Sequence, residues 1–137
     1  GALTNCGVPV DLAKVQQPSF ILATREDHIV PWRSAYRSLG LLGGNKKFVL
    51  GASGHVAGVV NPAAKGKRSY WTGEPYPQDP EAWLVQAKEH PGSWWTEWMK
   101  WLGEFNGGKR AAPAALGSAG YPVLEAAPGR YVKQRAN

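Results

Sequence analysis

The sequence has 137 residues, a length typical of a single domain and sufficient for a hydrophobic core. No run of about 18 apolar residues occurs, so we expect no membrane-spanning helix, and the start Gly1-Ala2-Leu3 lacks the features of a signal peptide. The single cysteine, Cys6, excludes an internal disulfide and is compatible with the reducing environment of the cytoplasm.

The formal net charge of +6 indicates a basic surface. The excess of cations is spread over KGKR (65–68), KR (109–110) and RYVKQR (130–135). None of these segments alternates cations with aromatic residues as a base-stacking platform does, so we expect no nucleic-acid partner. A solvated basic surface is the simplest interpretation, although a phosphate-bearing small substrate would also be attracted.

A strand, a helix and a second strand are predicted in the first third of the chain. The uninterrupted apolar run Phe20–Ala23 is typical of a strand that is covered on both faces of a parallel sheet. A helix is expected to begin at Pro31 and to end at Gly43-Gly44, and KKFVL then predicts a second strand that ends at Gly51. The apolar face of that helix would comprise Ala35, Leu39 and Leu42. Together these elements predict one βαβ unit.

The character of the sequence changes beyond residue 60. The stretch NPAAKGKRSYWTGEPYPQDP is rich in proline and glycine and predicts a long ordered loop. Asp79 and Pro80 are typical of an N-cap and a first helical position, and the helix that they begin is expected to run to about Glu89.

A tryptophan-rich helix and an irregular tail complete the chain. The segment SWWTEWMKWL predicts a helix capped by Ser93, whose apolar face would contain Trp94, Trp98 and Trp101. The seven tryptophans most simply belong to the core, and a role for Trp94 or Trp95 in lining a substrate site or a dimer interface is the alternative. From Gly107 onward, alanine, glycine and proline in irregular order predict an extended tail.

Asp27 and His55 are the candidate catalytic residues. Each follows one of the two predicted parallel strands, and loops at the carboxyl ends of neighbouring strands lie close together. Acid before histidine is also the chain order in α/β-hydrolases, where the acid orients the imidazole and the imidazole accepts the nucleophile's proton. The spacing D-x-x-V-P favours Asp27 over its neighbour Glu26. A helix-capping aspartate and a structural loop histidine are the simpler interpretations.

The other reactive side chains are expected to have structural roles. His28 is interpreted as a packing residue or as a support of the site, and His90 as a cation at a helix C-terminus. Cys6 lies in LTNCGVPVDL, which is not a G-x-[SC]-x-G elbow, and no such elbow occurs in the chain. The nucleophile is therefore missing, and Cys6 is interpreted as structural. No metal-ligand spacing or phosphate-binding loop occurs, so neither a metal nor a cofactor is expected.

Six segments of the chain resemble the C-terminal part of class I polyhydroxyalkanoate (polyhydroxybutyrate) synthases: TREDHIVPW, FVLGASGHVAGVVNP, KRSYWT, GSWWTEWMKWL, KRAAPAALG and APGRYVKQR. The resemblance covers essentially the whole chain. It implies the last parallel strands and helices of an α/β-hydrolase catalytic domain over residues 1–106, followed by an extended tail over residues 107–137. It further implies a Cys-His-Asp triad to which this chain supplies His55 and Asp27, with the nucleophilic cysteine upstream.

The same resemblance implies a function. The parent protein would polymerise (3R)-3-hydroxyacyl-CoA, with 3-hydroxybutyryl-CoA the expected substrate, and would release CoA without a further cofactor. It would act as a homodimer at polyester granules in the cytoplasm, whereas this chain alone would be inactive. A serine esterase or polyester depolymerase of the same fold is the alternative among enzymes. A non-catalytic, basic, tryptophan-rich module that binds polyanions or granule surfaces is the alternative outside them.

Overall fold

A computed structural model describes residues 3–135 of the protein. The chain divides into two compact units, one that ends at Asn106 and one that begins at Gly107. The first unit contains all the named strands and α-helices: β1 (Thr4–Asn5), β2 (Val8–Pro9), β3 (Ser19–Thr24), α1 (Trp32–Arg37), β4 (Lys46–Gly51), β5 (Ser69–Thr72), α2 (Pro80–Gln86), β6 (Lys88–Pro91) and α3 (Trp95–Gly103).

A short antiparallel hairpin precedes the main sheet. Strands β1 and β2 pair with Thr4 opposite Pro9, and the turn between them places Cys6 (φ 49°) and Gly7 (φ 77°) in the left-handed region. Two consecutive left-handed residues are what a two-residue hairpin turn with the right twist requires. Cys6 is exposed, and its thiol contacts Oδ1 of Asn5 at 3.7 Å.

The main sheet has four strands in the order β3-β4-β5-β6. Strands β3 and β4 are parallel, in a register that runs from Ser19 opposite Lys46 to Thr24 opposite Gly51. This pairing confirms the predicted βαβ unit. Strands β5 and β6 are antiparallel to their neighbours, so the sheet is mixed and only its first two strands are parallel.

Two predictions for the middle of the chain are wrong. The segment expected to be a long loop contains β5, whose Tyr70 and Trp71 are buried. The helix expected to reach Glu89 ends at Gln86, because Ala87 has extended backbone angles and the next residues pair with β5 as β6. The aromatic and β-branched residues of β5 favour a strand, and the polar segment of β6 becomes a strand through its pairing with β5, so nonlocal pairing outweighs the local composition.

The N-terminus of α2 agrees with the sequence. The Asp79 carboxylate accepts hydrogen bonds from the backbone N–H groups of Glu81 and Ala82, at 3.2 and 3.3 Å. Pro80 occupies the first helical position, where its missing N–H costs no hydrogen bond. These contacts confirm the predicted cap.

Helix α1 is shorter than predicted. It ends at Arg37, and a 3₁₀ turn (Ser38–Gly40) follows. The buried side chains are Trp32 and Tyr36 of the helix and Leu39 of the turn. They have the expected i, i+4, i+7 spacing, but the buried face begins at Trp32, three positions before the predicted Ala35.

Gly43 and Gly44 do not cap this helix. Both of their N–H groups donate to the carbonyl oxygen of Val15, at 3.1 and 2.9 Å. A Cβ atom on Gly43 would lie only 1.9 Å from the carbonyl oxygen of Ala13. These glycines therefore permit close approach of two backbone segments just before β4.

The two faces of the sheet carry separate apolar clusters, as the alternation of side chains along a strand requires. On the α1 and α2 face, the fully buried Trp83 and Phe48 meet edge to face, with ring centroids 4.9 Å apart. On the α3 face, Val49, Tyr70 and Trp94 form the buried cluster. The expected core role of the tryptophans holds for four of the seven: Trp32, Trp71, Trp83 and Trp94.

The second unit is described from residue 107 to residue 135. It is largely exposed and irregular, with an isolated bridge between Ser118 and Tyr121 and a 3₁₀ turn at Tyr131–Lys133. An ion pair joins Nε of Arg130 to Oε2 of Glu125 at 3.1 Å.

Candidate functional site

The loops that follow β3 and β4 lie side by side and are joined through their backbones. The N–H of Arg25 donates to the carbonyl oxygen of Gly51 at 2.8 Å, and the N–H of Glu26 donates to that of Ser53 at 3.1 Å. These bonds extend the parallel ladder by two residues beyond the strands. The loop that carries Asp27 is therefore fixed against the loop that carries His55.

Asp27 is held by hydrogen bonds at both carboxylate oxygens. Its Oδ1 accepts from the backbone N–H groups of Ile29 and Val30, each at 2.9 Å, and its Oδ2 accepts from Oγ1 of the buried Thr24 at 3.4 Å. Only 8% of the side chain is exposed. The hydrogen bond from Val30 is the largest cause that lowers the pKa of Asp27 to about 2, against the opposing effect of desolvation.

His55 is the side-chain hydrogen-bond partner of this carboxylate across the two loops. Its Nδ1 lies 2.9 Å from Oδ2 of Asp27. An ionised carboxylate can only accept, so Nδ1 carries the proton and Nε2 of the neutral ring presents a lone pair. Within residues 3–135 Nε2 has no hydrogen-bond partner, and 44% of the His55 side chain is exposed. The arrangement can accept a proton at Nε2 and stabilise the resulting imidazolium.

The backbone around His55 is compact because of glycine. The N–H of Gly58 donates to the carbonyl oxygen of Gly54 at 2.8 Å, which closes a helical turn around His55. A Cβ atom on Gly58 would lie 2.6 Å from Cγ2 of Thr24, so only glycine fits without a shift. Ser53 enters the turn in the left-handed region, at φ 77°.

Two tryptophans anchor this turn from the start of α3. Nε1 of Trp94 donates to the carbonyl oxygens of Gly58 and Val59, at 3.1 and 3.2 Å, and Nε1 of Trp95 donates to Val59 at 3.0 Å. The sequence predicts Ser93 as the cap of this helix, but the N-cap is Trp94 and Ser93 lies one position before it. The Ser93 hydroxyl donates to the carbonyl oxygen of Asn61 and accepts from the N–H of Trp95. No local pattern in the sequence predicts that these residues support the His55 loop, although a buried indole N–H such as that of Trp94 requires a partner.

A small cavity of about 190 Å³ adjoins the pair. Asp27 and His55 line it together with apolar side chains that include Leu22, Val30 and Val59. Larger cavities of about 510 and 870 Å³ open at the other end of β4, where Lys46 lies, and no histidine lines either of them. The small cavity thus combines a histidine that can accept a proton with an apolar wall.

The remaining candidates do not join the pair. His28 is exposed, so the prediction that it packs is wrong; it lies in a bend between Asp27 and α1. His90 is not at a helix end but on β6, where its ring stacks on Tyr70 and its Nε2 lies 2.8 Å from Oγ1 of Thr72. Cys6 is not among the residues that line the cavity.

Residues 3–135 contain neither a cluster of metal-ligating side chains nor a membrane-spanning helix. No group of three His, Cys, Asp or Glu side chains lies close enough to hold a metal ion there. No helix in this part of the chain combines the length and the apolar character needed to cross a bilayer.

The chain is similar to several poly(3-hydroxyalkanoate) polymerases. It is 58% identical over 136 residues to the poly(3-hydroxyalkanoate) polymerase subunit PhaC of Cupriavidus necator. The matched residues make up 99% of this chain and 23% of that protein. It is 46% identical over 134 residues to poly(3-hydroxyalkanoate) polymerase 1 of Ectopseudomonas oleovorans, and 45% identical over 129 residues to the subunit PhaC of Rhizobium etli. These matches cover 98% and 94% of this chain, and 24% and 20% of the two relatives. No protein-family profile matches.

Proposed function

Because this chain belongs to the poly(3-hydroxyalkanoate) polymerase family, of whose members it spans about a quarter or less, we propose that it supplies the acid and the base of a polymerase active site. The observation that carries the proposal is the hydrogen bond between His55 and the ionised Asp27 at the carboxyl edge of parallel strands. The rest of an α/β-hydrolase domain, with the nucleophilic cysteine, would come from the remainder of the full-length protein.

Acylation begins with transfer of the cysteine thiol proton to Nε2 of His55. The thiolate is the useful nucleophile, and it attacks the carbonyl carbon of a (3R)-3-hydroxyacyl-CoA such as 3-hydroxybutyryl-CoA. The bond from the carbonyl carbon to the CoA sulfur breaks, and the imidazolium returns its proton to that sulfur. Asp27 lowers the energy of the imidazolium and fixes the ring so that Nε2 faces the reaction.

Elongation requires a second proton transfer. The 3-hydroxyl of one unit attacks the thioester carbonyl of another, the carbon–sulfur bond breaks, and the hydroxyl proton passes through the base to the departing thiolate. His55 and Asp27 are both possible bases on chemical grounds. We assign the role to His55, because the Asp27 carboxylate accepts bonds at both oxygens and its pKa of about 2 makes it a weak base.

Location and assembly are part of the same proposal. The full-length protein would act as a homodimer at the surface of polyester granules in the cytoplasm, and the reaction needs no cofactor besides its CoA thioester substrate. The names of the relatives favour polymerisation over the esterase and over the non-catalytic binding module.

The test is CoA release and polymer formation by the full-length protein and its His55→Ala variant. The parent should release CoA in proportion to the polyester formed, and the variant should release almost none. Release of CoA with free hydroxy acid as the product would instead indicate a hydrolase.

A further inference from the structure

Four exposed cationic side chains lie at the same edge of the sheet as Asp27 and His55. We call them the basic edge: Arg25, Lys65, Lys67 and Arg68. Arg25 directly follows β3, and the other three lead into β5. Because β5 runs antiparallel to β4, its first residue lies beside the end of β4, which brings KGKR to the carboxyl edge of the parallel strands.

The hydrogen bonds on the two sides of β4 define the distance between Arg25 and the KGKR segment. The N–H of Arg25 donates to Gly51 on one side, at 2.8 Å, and the N–H of Ala52 donates to Ser69 on the other, at 2.9 Å. Neighbouring strands lie about 4.8 Å apart, so the backbones of Arg25 and Ser69 are about 10 Å apart. Long cationic side chains on both sides can therefore reach neighbouring groups of one extended anion.

The positive charge of the basic edge is not compensated by ion pairs. No carboxylate lies within ion-pair distance of these four side chains in the part of the chain that the structure describes. The neighbouring loop contains two acids. Glu26 is exposed, and Asp27 is hydrogen-bonded to His55. The Arg25 guanidinium lies over the ring of Trp71, 5.1 Å from its centroid, which orients the cation.

The backbone that presents Lys67 and Arg68 is anchored by buried groups. The carbonyl oxygen of Lys67 accepts from Nδ2 of the buried Asn61 at 3.2 Å, and that of Arg68 accepts from the N–H of Gly92 at 2.8 Å. Arg68 adopts the left-handed region, at φ 71°, which is uncommon for a residue other than glycine. Such backbone persists where the surroundings fix it, and here they fix it with the side chains outward.

We propose that the basic edge binds the phosphate groups of the CoA moiety of the substrate. This inference rests on the proposed function, because CoA carries a diphosphate and a 3′-phosphate at the end opposite its thioester. The basic edge lies beside the cavity that Asp27 and His55 line. Arginine and lysine are the side chains that bind phosphate, so the nucleotide of a substrate whose thioester meets His55 would lie along this edge.

The test uses the full-length protein with three substitutions combined: Arg25→Gln, Lys67→Gln and Arg68→Asn. Asparagine is chosen at position 68 because it tolerates the left-handed region. Each exposed cation contributes a factor of about 2–4, so the loss of three should raise the KM for 3-hydroxybutyryl-CoA about 8- to 64-fold with kcat nearly unchanged. The N-acetylcysteamine thioester of 3-hydroxybutyrate, which lacks the nucleotide, should show the same kinetics with parent and variant.

A matched control removes three cations from the opposite edge of the sheet: Lys14→Gln, Arg37→Gln and Lys88→Gln. All three lie at the edge where β4 begins and β5 ends. Lys14 precedes Val15, which is bonded to the segment before β4, and Arg37 lines a cavity with Lys46, the first residue of β4. Lys88 lies opposite Thr72, the last residue of β5. The control should leave the KM for the CoA substrate within about twofold of the parent. A 3′-dephospho-CoA substrate then shows which phosphate is bound, because the variant no longer discriminates against it if the 3′-phosphate is the ligand.

The possible results distinguish failure of the basic-edge proposal from failure of the proposed function. An unchanged KM in the triple variant, with a parent that is active on the CoA substrate, overturns the basic edge and leaves the proposed function intact. Equal losses on both thioesters also overturn it, because they show a defect unrelated to the nucleotide. A parent that is inactive on both thioesters overturns the proposed function itself. The single variant Lys67→Gln, expected to raise KM about 2- to 4-fold, serves if the triple variant does not fold.

Discussion

His55 and Asp27 belong to different loops, yet Nδ1 of one lies 2.9 Å from Oδ2 of the other. The distance is set by the backbone and not by the two side chains alone, because Arg25 and Glu26 are bonded to Gly51 and Ser53. The pair is thus built into the sheet edge before any substrate arrives, and substitutions at its members should affect turnover more than folding.

In the full-length protein, His55→Ala should abolish acylation because it removes the group proposed to accept the thiol proton. Asp27→Asn retains the shape but loses the charge that stabilises the imidazolium, a change that costs roughly 10⁴ in a serine-protease triad. Because a thiol ionises more readily than a hydroxyl, the loss in acylation should be smaller here and the loss in elongation larger. Single-turnover acylation measured beside steady-state polymerisation separates the two steps.

Two neighbours of Asp27 provide the controls. Glu26→Gln and His28→Gln remove exposed side chains that make no hydrogen bond to the pair, so both variants should keep nearly the activity of the parent. A loss in either variant as large as that of Asp27→Asn would show that the acid has been assigned to the wrong residue.

The lowered pKa of Asp27 predicts the pH range over which this carboxylate stabilises the folded state. The hydrogen bond from Val30 and the bonds from His55 and Ile29 hold the folded-state pKa at about 2, below the usual value of 3.8. Since a depressed carboxylate pKa stabilises the folded state above the unfolded pKa, this contribution should be present above about pH 4 and lost as the pH falls to about 2. The difference in urea midpoint between the parent and Asp27→Asn should therefore shrink across that window. A constant difference from pH 5 to pH 2 would contradict the assignment.

Gly58→Ala should impair both folding and turnover. The new Cβ would lie 2.6 Å from Cγ2 of Thr24 and 2.7 Å from the carbonyl oxygen of Gly54. Overpacking of this kind costs about 1–3 kcal/mol of unfolding free energy, and movement of Thr24 would disturb Asp27, to which its hydroxyl donates. Urea unfolding and CoA release measure the two effects. Gly40→Ala, where no atom lies within 4 Å of the added Cβ, should change neither by more than the experimental scatter.

The isolated 137-residue chain should not release CoA from 3-hydroxybutyryl-CoA, because it supplies base and acid without an elbow cysteine. It should also self-associate, since no strand of residues 3–135 pairs with the outer edge of β3, and Ile29, Val56 and Val60 are more than half exposed near the site. Sedimentation of the purified chain tests association. Steady turnover that Cys6→Ser abolishes would contradict the assignment of the nucleophile to another part of the protein.

The parallel strands and the meeting of Asp27 with His55 could be predicted because both depend on local signals. An unbroken apolar run marks each strand, and parallel pairing brings the ends of the strands together. Strands β5 and β6 could not be predicted in the same way, because each has four residues and exists only through its partners. The hydrogen bonds from Trp94 and Trp95 are equally nonlocal: an indole N–H predicts a partner, but its identity depends on the fold.

The indoles of Trp94 and Trp95 also make the His55 loop observable in solution. Indole fluorescence responds to the hydrogen bonding and polarity around Nε1, and both of these nitrogens are bonded to carbonyl groups of the turn that carries His55. A displacement of that turn changes these bonds directly, whereas Trp83 belongs to the separate cluster on the other face of the sheet. The difference in fluorescence emission between the parent and Trp95→Phe therefore reports on the position of the His55 loop without an added label.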